Sequence, residues 1–189
     1  EIGNNPDIES EDYRRVLDRK DVEAVFITTP YYLHVPMMLD AISAGKHVFV
    51  EKCMMKTEEE IPLVYEAVKE HPELIIQVGL QRRYSNIYQN AMKMIHTGIL
   101  GKVMTVRAQW HRNTNWRRPI PDPKLERTIN WRMYRDFSGG LMAELGSHMA
   151  DVANWAFQSE PVAVTGIGGN DYWKDGREIF DNVAVIYEY

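Results

Sequence analysis

The sequence of 189 residues has little cysteine, no long apolar run and no excess of positive charge, and each of these shortages excludes a class of protein. Cys53 is the single cysteine, which excludes an internal disulfide framework and any metal site built from several cysteines. No apolar run approaches the roughly 18 residues that a membrane-spanning helix needs, so no membrane partner is expected. Positive charge is not in excess, since the formal net charge is −5, and nucleic acid is therefore not an expected partner. A hydrophobic share of 44% with 26% charged residues is typical of an ordinary globular protein.

Both ends of the chain indicate a piece of a longer protein. The first residue is Glu1 rather than methionine, and the last, Tyr189, lies in an alternating pattern typical of a strand. We therefore expect further residues on both sides of this chain. The localisation stays open on this interpretation, cytoplasmic by default and periplasmic or exported if a signal precedes Glu1.

The first 80 residues alternate between short apolar runs and helical patterns. The apolar runs cover residues 24–27, 47–50 and 74–78. Continuous runs of this kind predict strands buried on both faces. Helices are predicted at residues 9–19, at 33–44 and after a capping box of Thr57 and Glu60. The third helix is predicted to face inward with Ile61, Val64, Tyr65 and Val68. Strand–helix–strand order with short connections predicts an α/β fold, in which residues 1–80 form the second half of a Rossmann-like, doubly wound parallel sheet.

The pattern changes after Gln81. A helix is predicted at residues 86–96, and an alternating strand at 103–111, with a buried face that includes Met104 and Trp110 and an opposite polar face. A long irregular segment, residues 112–135, precedes a helix that ends at Phe157 and two further strands. Residues 81–189 are thus predicted to form a second, α+β domain with an open, mostly antiparallel sheet. The polar sheet face is expected to form the interface of a homo-oligomer, a dimer or a tetramer, through residues such as Thr105, Arg107 and Gln109.

Ligands of a doubly wound sheet bind outside the carboxyl ends of its strands. The residues predicted at those ends are Thr28, Thr29, Pro30, Glu51, Lys52 and the turn from Gly79 to Tyr84. An amine partly removed from water can donate or accept a proton near neutral pH, as Lys52 could, and the alternative is a surface ion pair with Glu51. Cys53 could be a nucleophile beside a cation, or simply a packing residue. His34 could meet a ligand at the start of its helix.

The segment from Ser138 to Asp151 contains the strongest candidate for proton transfer. On a helix, three of its residues and one beyond its end share a face at spacings of four, three and four. They are Glu144, His148, Asp151 and Trp155. A histidine beside a carboxylate can be held in one tautomer and can move a proton near neutral pH. The alternatives are a buried helix in which His148 and Glu144 satisfy each other, and a metal site, which no second ligand cluster supports.

A group of tryptophans and arginines occupies the irregular segment. Its members are Trp116, Arg117, Arg118, Trp131, Arg132 and Arg135. Flat aromatic surfaces beside guanidinium groups suit sugar rings, phosphates or carboxylates. They would also suit single-stranded nucleic acid, which the acidic net charge disfavours. The remaining alternative is a stiff loop held by its own tryptophans.

These residues together resemble the Gfo/Idh/MocA oxidoreductase family. The first part of the resemblance is Thr28-Thr29-Pro30 with His34, then residues 44–48 and Glu51-Lys52, which resemble the family's run into its Glu-Lys-Pro motif. The second part is Gly139-Gly140 with Glu144, Gly146, His148 and Asp151, which is similar to the family's second motif. The resemblance covers nearly the whole chain.

The resemblance implies an NAD- or NADP-dependent oxidoreductase acting on a sugar, a polyol or a related glycoside. Lys52 and His148 then form the catalytic pair, with Glu144 where the family usually has Asp. Implied cofactor contacts are Thr28, Thr29, Pro30, His34, Glu51, Lys52, Trp131 and Arg132. Expected substrate contacts are Arg83, Tyr84, Trp116 and Asp151, and no metal is expected. Two alternatives stay open: a glycoside-modifying enzyme that uses bound NAD with no net redox change, and a non-catalytic sugar-binding module.

The sequence departs from the family's pattern in three places. The glycine-rich phosphate loop is not among these residues, so residues 1–189 alone are expected to show no useful NAD affinity. Cys53 replaces the family's proline, and loss of the cis peptide before it is expected. Glu144 is one methylene longer than the usual Asp, which changes its distance to His148 or to a substrate hydroxyl.

Overall fold

The computed structural model describes residues 12–189, so the predicted helix at 9–19 begins outside the described residues. The chain divides into two compact units, Glu1–Gly79 and Leu80–Tyr189, and each is described by itself. Among residues 12–189, no helix is long and apolar enough to span a membrane.

The first unit is an α/β layer, as predicted. Its elements are α1 (Arg14–Leu17), β1 (Ala24–Ile27), α2 (His34–Ser43), β2 (His47–Val50), α3 (Glu60–Glu70) and β3 (Ile76–Val78). All neighbouring strands are parallel in the order β1-β2-β3, with Val25 opposite Val48 and Val48 opposite Ile76. Parallel pairing of consecutive strands requires a crossover connection, which α2 and α3 supply. This part of the fold prediction is confirmed.

The core of the first unit lies between the sheet and α2. Val35, Met38 and Ile42 recur at helical spacing on α2 and are at most 3% exposed, and they pack with Val48 and Val50 of the central strand. Apolar residues three and four positions apart form one face of a helix, which is why this helix turns that face to the sheet.

The expectation that the strands are buried on both faces is wrong for β1. Phe26 is 76% exposed, and its ring lies 5.1 Å from that of Phe49 on the neighbouring strand. Ile27, which points to the opposite face, is buried. A continuous apolar run has residues for both faces of a strand, but it does not show that both faces are covered by residues 12–79.

The predicted inward face of α3 is also largely wrong. Val64 is buried as expected, but Ile61 and Tyr65 are 53% and 66% exposed, and the helix packs through Val64 and Ala67. Apolar residues occur around most of this helix, so periodicity alone did not select the right face. The glutamate of the predicted capping box is confirmed, because Glu60 accepts backbone hydrogen bonds at the helix start.

The second unit contains three helices and a two-stranded antiparallel sheet among its described elements. They are α4 (Asn86–His96), α5 (Glu126–Ile129), α6 (Ser147–Phe157), β4 (Ala163–Gly169) and β5 (Asn182–Glu188). Short 3₁₀ turns cover Gln81–Tyr84, Pro123–Leu125 and Trp131–Met133, so the segment 112–135 has more structure than expected. In the antiparallel ladder, Ala163 lies opposite Glu188 and Gly169 opposite Asn182.

The predicted strand at residues 103–111 is not formed. Among the described residues, β4 and β5 pair only with each other, so this segment has no ladder partner. Met104, predicted on the buried face, is 73% exposed. An alternating pattern is a property of one segment, whereas a strand also needs a neighbour to bond with.

Candidate active site

His34 joins the two loops that follow β1 and β2. It is the first residue of α2 and is only 1% exposed. Its Nε2 lies 2.9 Å from the carbonyl oxygen of Thr29, and its Nδ1 lies 2.7 Å from that of Cys53. A neutral imidazole carries one N–H, so donation to both carbonyls at once requires the doubly protonated ring. His34 therefore fixes the backbone at the carboxyl edge of the sheet, whether it donates to one carbonyl or to both.

Glu51 and Gly79 approach closely at the same edge. Backbone hydrogen bonds of 3.0 Å from Glu51 to Ile27 and of 2.8 Å from Gly79 to Val50 carry the sheet pairing past the strand ends. A Cβ atom on Gly79 would lie 3.1 Å from the Glu51 carboxylate, so glycine provides the space for that side chain. The backbone at the carboxyl edge of the sheet is thus fixed by hydrogen bonds and by this close packing.

Lys52 is half-buried and directly follows Glu51 at this edge. The peptide bond between Lys52 and Cys53 is cis, so the expectation that a cysteine here removes the cis peptide is wrong. The contact of His34 Nδ1 is with the carbonyl oxygen of Cys53, which belongs to the next peptide, between Cys53 and Met54.

In the second unit, a π-helical turn precedes α6. It covers Met142–Gly146 and contains Glu144, whereas the sequence predicted an uninterrupted α-helix. A Cβ atom on Gly146 would lie 2.5 Å from the end of the Met142 side chain, so glycine allows that side chain to lie against the backbone. Single π turns are frequent at functional sites, where they reorient a side chain without ending the helix.

Glu144 forms an ion pair with Arg132. Arg132 Nε donates to Glu144 Oε2 over 3.2 Å, and the carboxylate side chain is 12% exposed. The Arg132 guanidinium lies 4.3 Å from the Trp131 ring, which is itself buried. The predicted cofactor contacts Trp131 and Arg132 are therefore brought together with the predicted catalytic Glu144.

His148 is 5% exposed and lies one residue into α6. Its ring stacks on Trp110, with centroids 5.6 Å apart and planes 25° apart. Asp151, one turn further along the helix, accepts hydrogen bonds from Arg83 Nη2 at 2.6 Å and Arg83 Nε at 3.0 Å. The hydrogen bond from Arg83 to Asp151 raises the pKa of the guanidinium above its usual value. The predicted substrate contacts Arg83 and Asp151 are thus paired with each other.

Two residues of this site were not predicted from the sequence. Trp110 was assigned only to the buried face of a strand, and Arg82 only to the turn from Gly79 to Tyr84 at the edge of the sheet. The Arg82 guanidinium lies 4.9 Å from the Trp110 ring, and its Nε donates a 2.8 Å hydrogen bond to the hydroxyl of Tyr88. An arginine at the end of a strand and a tryptophan far along the chain give no local signal that they meet.

Two members of the predicted tryptophan and arginine group serve the internal structure of the second unit. Arg117 pairs with Glu126 and lies 3.6 Å from Asp175, and Arg118 and Asn130 exchange two hydrogen bonds. This part of the loop is thus held by contacts of its arginine residues, whereas the stiff-loop alternative had assigned that role to tryptophans. Trp116 has a left-handed backbone with φ of 59°, and Tyr84 is 61% exposed.

Residues 12–189 contain no group of three or more histidine, cysteine, aspartate or glutamate side chains placed to hold a metal ion. The candidate site consists, in each unit separately, of a side chain predicted to exchange protons, on a backbone fixed by neighbouring side chains. Lys52 has this place in the first unit and His148 in the second.

Comparison with family models matches both units. Residues 3–80 match a model described as an oxidoreductase family with an NAD-binding Rossmann fold, and residues 88–189 match the GFO/IDH/MocA C-terminal domain. The chain is 31% identical over 159 residues to scyllo-inositol 2-dehydrogenase (NAD(+)) of Bacillus subtilis, covering 84% of this chain and 42% of the relative. It is 30% identical over 164 residues to 2,7-anhydro-N-acetylneuraminate hydratase of Mediterraneibacter gnavus, covering 87% of this chain and 41% of the relative.

A solved levoglucosan dehydrogenase, in complex with NADH and levoglucosan, has a similar fold. The TM-score is 0.79 at 26% identity, over 95% of this chain and 48% of the solved chain. This chain thus spans about half the length of the solved relative or less. The second-unit model alone covers more than half of the 189 residues. The chain therefore belongs to the Gfo/Idh/MocA family of oxidoreductases.

Proposed function

We propose that the full-length protein is an NAD(P)-dependent oxidoreductase that transfers hydride between nicotinamide and a carbon of a sugar, polyol or related glycoside. One observation carries the proposal. A lysine lies two residues beyond the central parallel strand of a Rossmann-type sheet, in a chain whose second unit presents a buried histidine on a helix. Ligands of such sheets bind at the carboxyl ends of the strands, which is where Lys52 lies.

The residues at this edge fit the nicotinamide end of a dinucleotide. The contacts of His34 with the carbonyl oxygens of Thr29 and Cys53, which we call the His34 clamp, fix the backbone after β1 and after β2. Gly79 leaves space beside Glu51. Thr28, Thr29 and Pro30 supply a short, partly exposed segment at the same edge. The dinucleotide, when bound, supplies the hydride acceptor or donor. The glycine-rich loop for its phosphates is not among residues 1–189, and must come from elsewhere in the protein.

In the direction of oxidation, the substrate carbon loses a hydride and its hydroxyl loses a proton as the carbonyl forms. Lys52 and His148 take up and pass on that hydroxyl proton, which is worth about 10²–10⁴ in rate for a well-placed group. Glu144 fixes Arg132 through their ion pair, and Arg132 in turn lies against Trp131 on the cofactor side of the proposal. Arg83 and Asp151 hold the shape of the substrate side through their mutual pair.

The proposal is tested by turnover of the full-length protein on a panel of inositols, anhydrosugars and aldoses with NAD or NADP. We expect reduced nicotinamide to accumulate in proportion to the oxidised product for at least one polyol. The proposal fails if the full-length protein binds the dinucleotide and yet reduces it with none of these substrates. Comparison of the two dinucleotides also decides cofactor preference.

A second candidate is an enzyme that oxidises its substrate only transiently. One matched relative is named a hydratase, a reaction in which water is added or removed without net oxidation. Oxidation of a ring hydroxyl acidifies the neighbouring C–H, which allows elimination before the hydride returns. Product formed with only catalytic NAD and no net NADH favours this reaction over net dehydrogenation.

We further infer that the full-length protein has a domain boundary near Gly79 and self-associates through the sheet of its second unit. The two compact units separate between Gly79 and Leu80. Val164 and Ile167 of β4 are 63% and 78% exposed, and Ile186 of β5 is 72% exposed, which leaves apolar sheet surface for a second copy. Sedimentation of the full-length protein tests this, and a monomer at high concentration contradicts it.

A further inference from the structure

Four side chains from four parts of the second unit form a continuous row that ends at His148. Tyr88 of α4 accepts a hydrogen bond from Arg82, Arg82 lies 4.9 Å from the Trp110 ring, and Trp110 stacks on His148 at 5.6 Å. Helices α4 and α6 also contact each other, so both ends of the row rest on packed helices. We name these four residues the Trp110 row.

Trp110 has no regular secondary structure to hold it. The segment 103–111 forms no strand, and the Trp110 side chain is 37% exposed. Its position therefore depends on side-chain contacts. A guanidinium over an indole face is attracted by the ring quadrupole, by about 0.5–2 kcal/mol depending on exposure.

Arg82 is suited to anchor that ring. Its Nε is fixed by Tyr88, and its guanidinium carbon also lies 5.4 Å from the Tyr88 ring. The Nη1 atom of Arg82 is buried and has no hydrogen-bond partner. The contacts of the guanidinium are therefore largely with the Trp110 and Tyr88 rings. A buried donor without a partner is costly, which indicates that the aromatic contacts hold the guanidinium in place.

The row contacts the face of the imidazole ring through Trp110, whereas the neighbouring carboxylates have arginine partners of their own. Glu144 is bound by Arg132, and Asp151 is bound by Arg83 through two nitrogens. Stacking restricts the plane of the imidazole ring, whereas a hydrogen bond restricts one of its nitrogens. A proton-transfer group loses on the order of 10² in rate when it is misplaced by about 1 Å.

We propose that Trp110, anchored by Arg82, is a positioning residue that sets the ring plane of His148 for proton transfer. The proposal rests on the proposed function for its kinetic part. Its structural part, the restriction of the His148 ring by Trp110, stands without any activity.

The structural part is tested by NMR of the histidine rings in the full-length protein. A ring stacked on an indole experiences its ring current, so the His148 ring protons should be displaced from their usual shifts. Trp110→Leu should remove that displacement, and Trp110→Phe should keep part of it. Unchanged His148 shifts in Trp110→Leu would overturn the proposal even if the protein has no dehydrogenase activity.

The kinetic part compares the same variants on the best polyol substrate. We expect Trp110→Leu to lower kcat roughly 10–100-fold with little change in KM, Trp110→Phe to recover most of that loss, and Arg82→Gln to lower kcat less. Tyr172→Leu, at a 70% exposed aromatic residue outside the site, is the matched control and should turn over as the wild type does.

Each contrary outcome has one meaning. A raised KM with unchanged kcat in Trp110→Leu would make Trp110 a substrate contact and would overturn the positioning role. Unchanged kcat and KM would overturn it as well. A wild-type protein that turns over no polyol would count against the proposed function, while the NMR comparison would still decide the structural part.

Discussion

Arg83 and Asp151 form a two-point ion pair that ties the 3₁₀ turn at Gln81–Tyr84 to the middle of α6, 68 residues further along the chain. Arg83 also lies 5.1 Å from the Trp155 ring, on the same helix. The carboxylate side chain is 13% exposed and the arginine 40%, so the pair is partly shielded from water. It therefore fixes the face of α6 that also presents His148.

Removing one partner of this pair should destabilise the protein. Asp151→Ala leaves a partly buried guanidinium without its acceptor, which we expect to lower the free energy of unfolding by about 1–3 kcal/mol. Chemical denaturation of the full-length protein measures this. Asp136→Ala is the matched control, because its pair with Arg127 is 74% and 45% exposed and should contribute at most about 1 kcal/mol. Equal losses in the two variants would contradict the structural role given to Asp151.

The His34 clamp predicts a combined loss of stability and cofactor affinity. His34→Phe keeps a ring at a site that is 1% exposed but leaves the carbonyls of Thr29 and Cys53 without that donor. We expect a loss of about 1–3 kcal/mol in unfolding free energy for each buried group left unsatisfied. Calorimetry on the folded variant of the full-length protein should show weaker NAD binding, because the carboxyl edge is no longer fixed. His71→Phe, at a more exposed histidine of the same unit, should change neither quantity.

Asp175 predicts an acid-sensitive contribution to stability. The hydrogen bond from Arg177 lowers the pKa of this carboxyl from 3.8 to about 2 in the folded protein. Because the folded pKa lies below the unfolded value, the stabilisation is fully present above pH 3.8 and is lost as the pH falls through about 2. The difference in unfolding free energy between wild type and Asp175→Asn, measured against pH, should therefore be largest at neutral pH and shrink over this interval. A difference that stays constant down to the lowest pH would contradict this account.

Glu144 predicts a specific kinetic effect. Glu144→Gln removes the charge of the Arg132 pair while keeping the length of the side chain. We expect lower kcat on the polyol substrate with the fold retained, because Arg132 is no longer held beside Trp131. Glu126→Gln, which weakens the structural pair with Arg117, should instead lower thermal stability and leave kcat per folded molecule unchanged. The reverse assignment of these two effects would show that Glu144 is structural.

Much of the first unit could be predicted from the sequence because its signals are local. Apolar runs of four residues marked β1 and β2, and their alternation with helical patterns determined parallel pairing. The exposure of Phe26 could not be predicted, since coverage of a sheet face depends on other segments. The wrong face of α3 has a similar cause, because its apolar residues surround most of the helix.

In the second unit the sequence located the helix that presents the predicted site residues, but not the residues that surround them. The spacing of Glu144, His148 and Asp151 identified the helix, whereas the π turn at Met142–Gly146 depends on how the Met142 side chain packs over Gly146. Trp110 reaches His148 from a segment that was predicted to be a strand. Contacts between segments far apart in sequence, such as Arg82 with Trp110, produce no periodic pattern in the sequence from which they could be predicted.

The most direct test of the central claim follows hydride from the substrate carbon. The full-length protein is given a polyol that carries deuterium on the carbon that bears the reacting hydroxyl, with a stoichiometric amount of oxidised dinucleotide. The account predicts that the deuterium appears in the reduced nicotinamide, and that Lys52→Ala slows this transfer by about 10²–10⁴ with dinucleotide binding retained. Deuterium that stays with the product or passes to water, or wild-type transfer in Lys52→Ala, would contradict it.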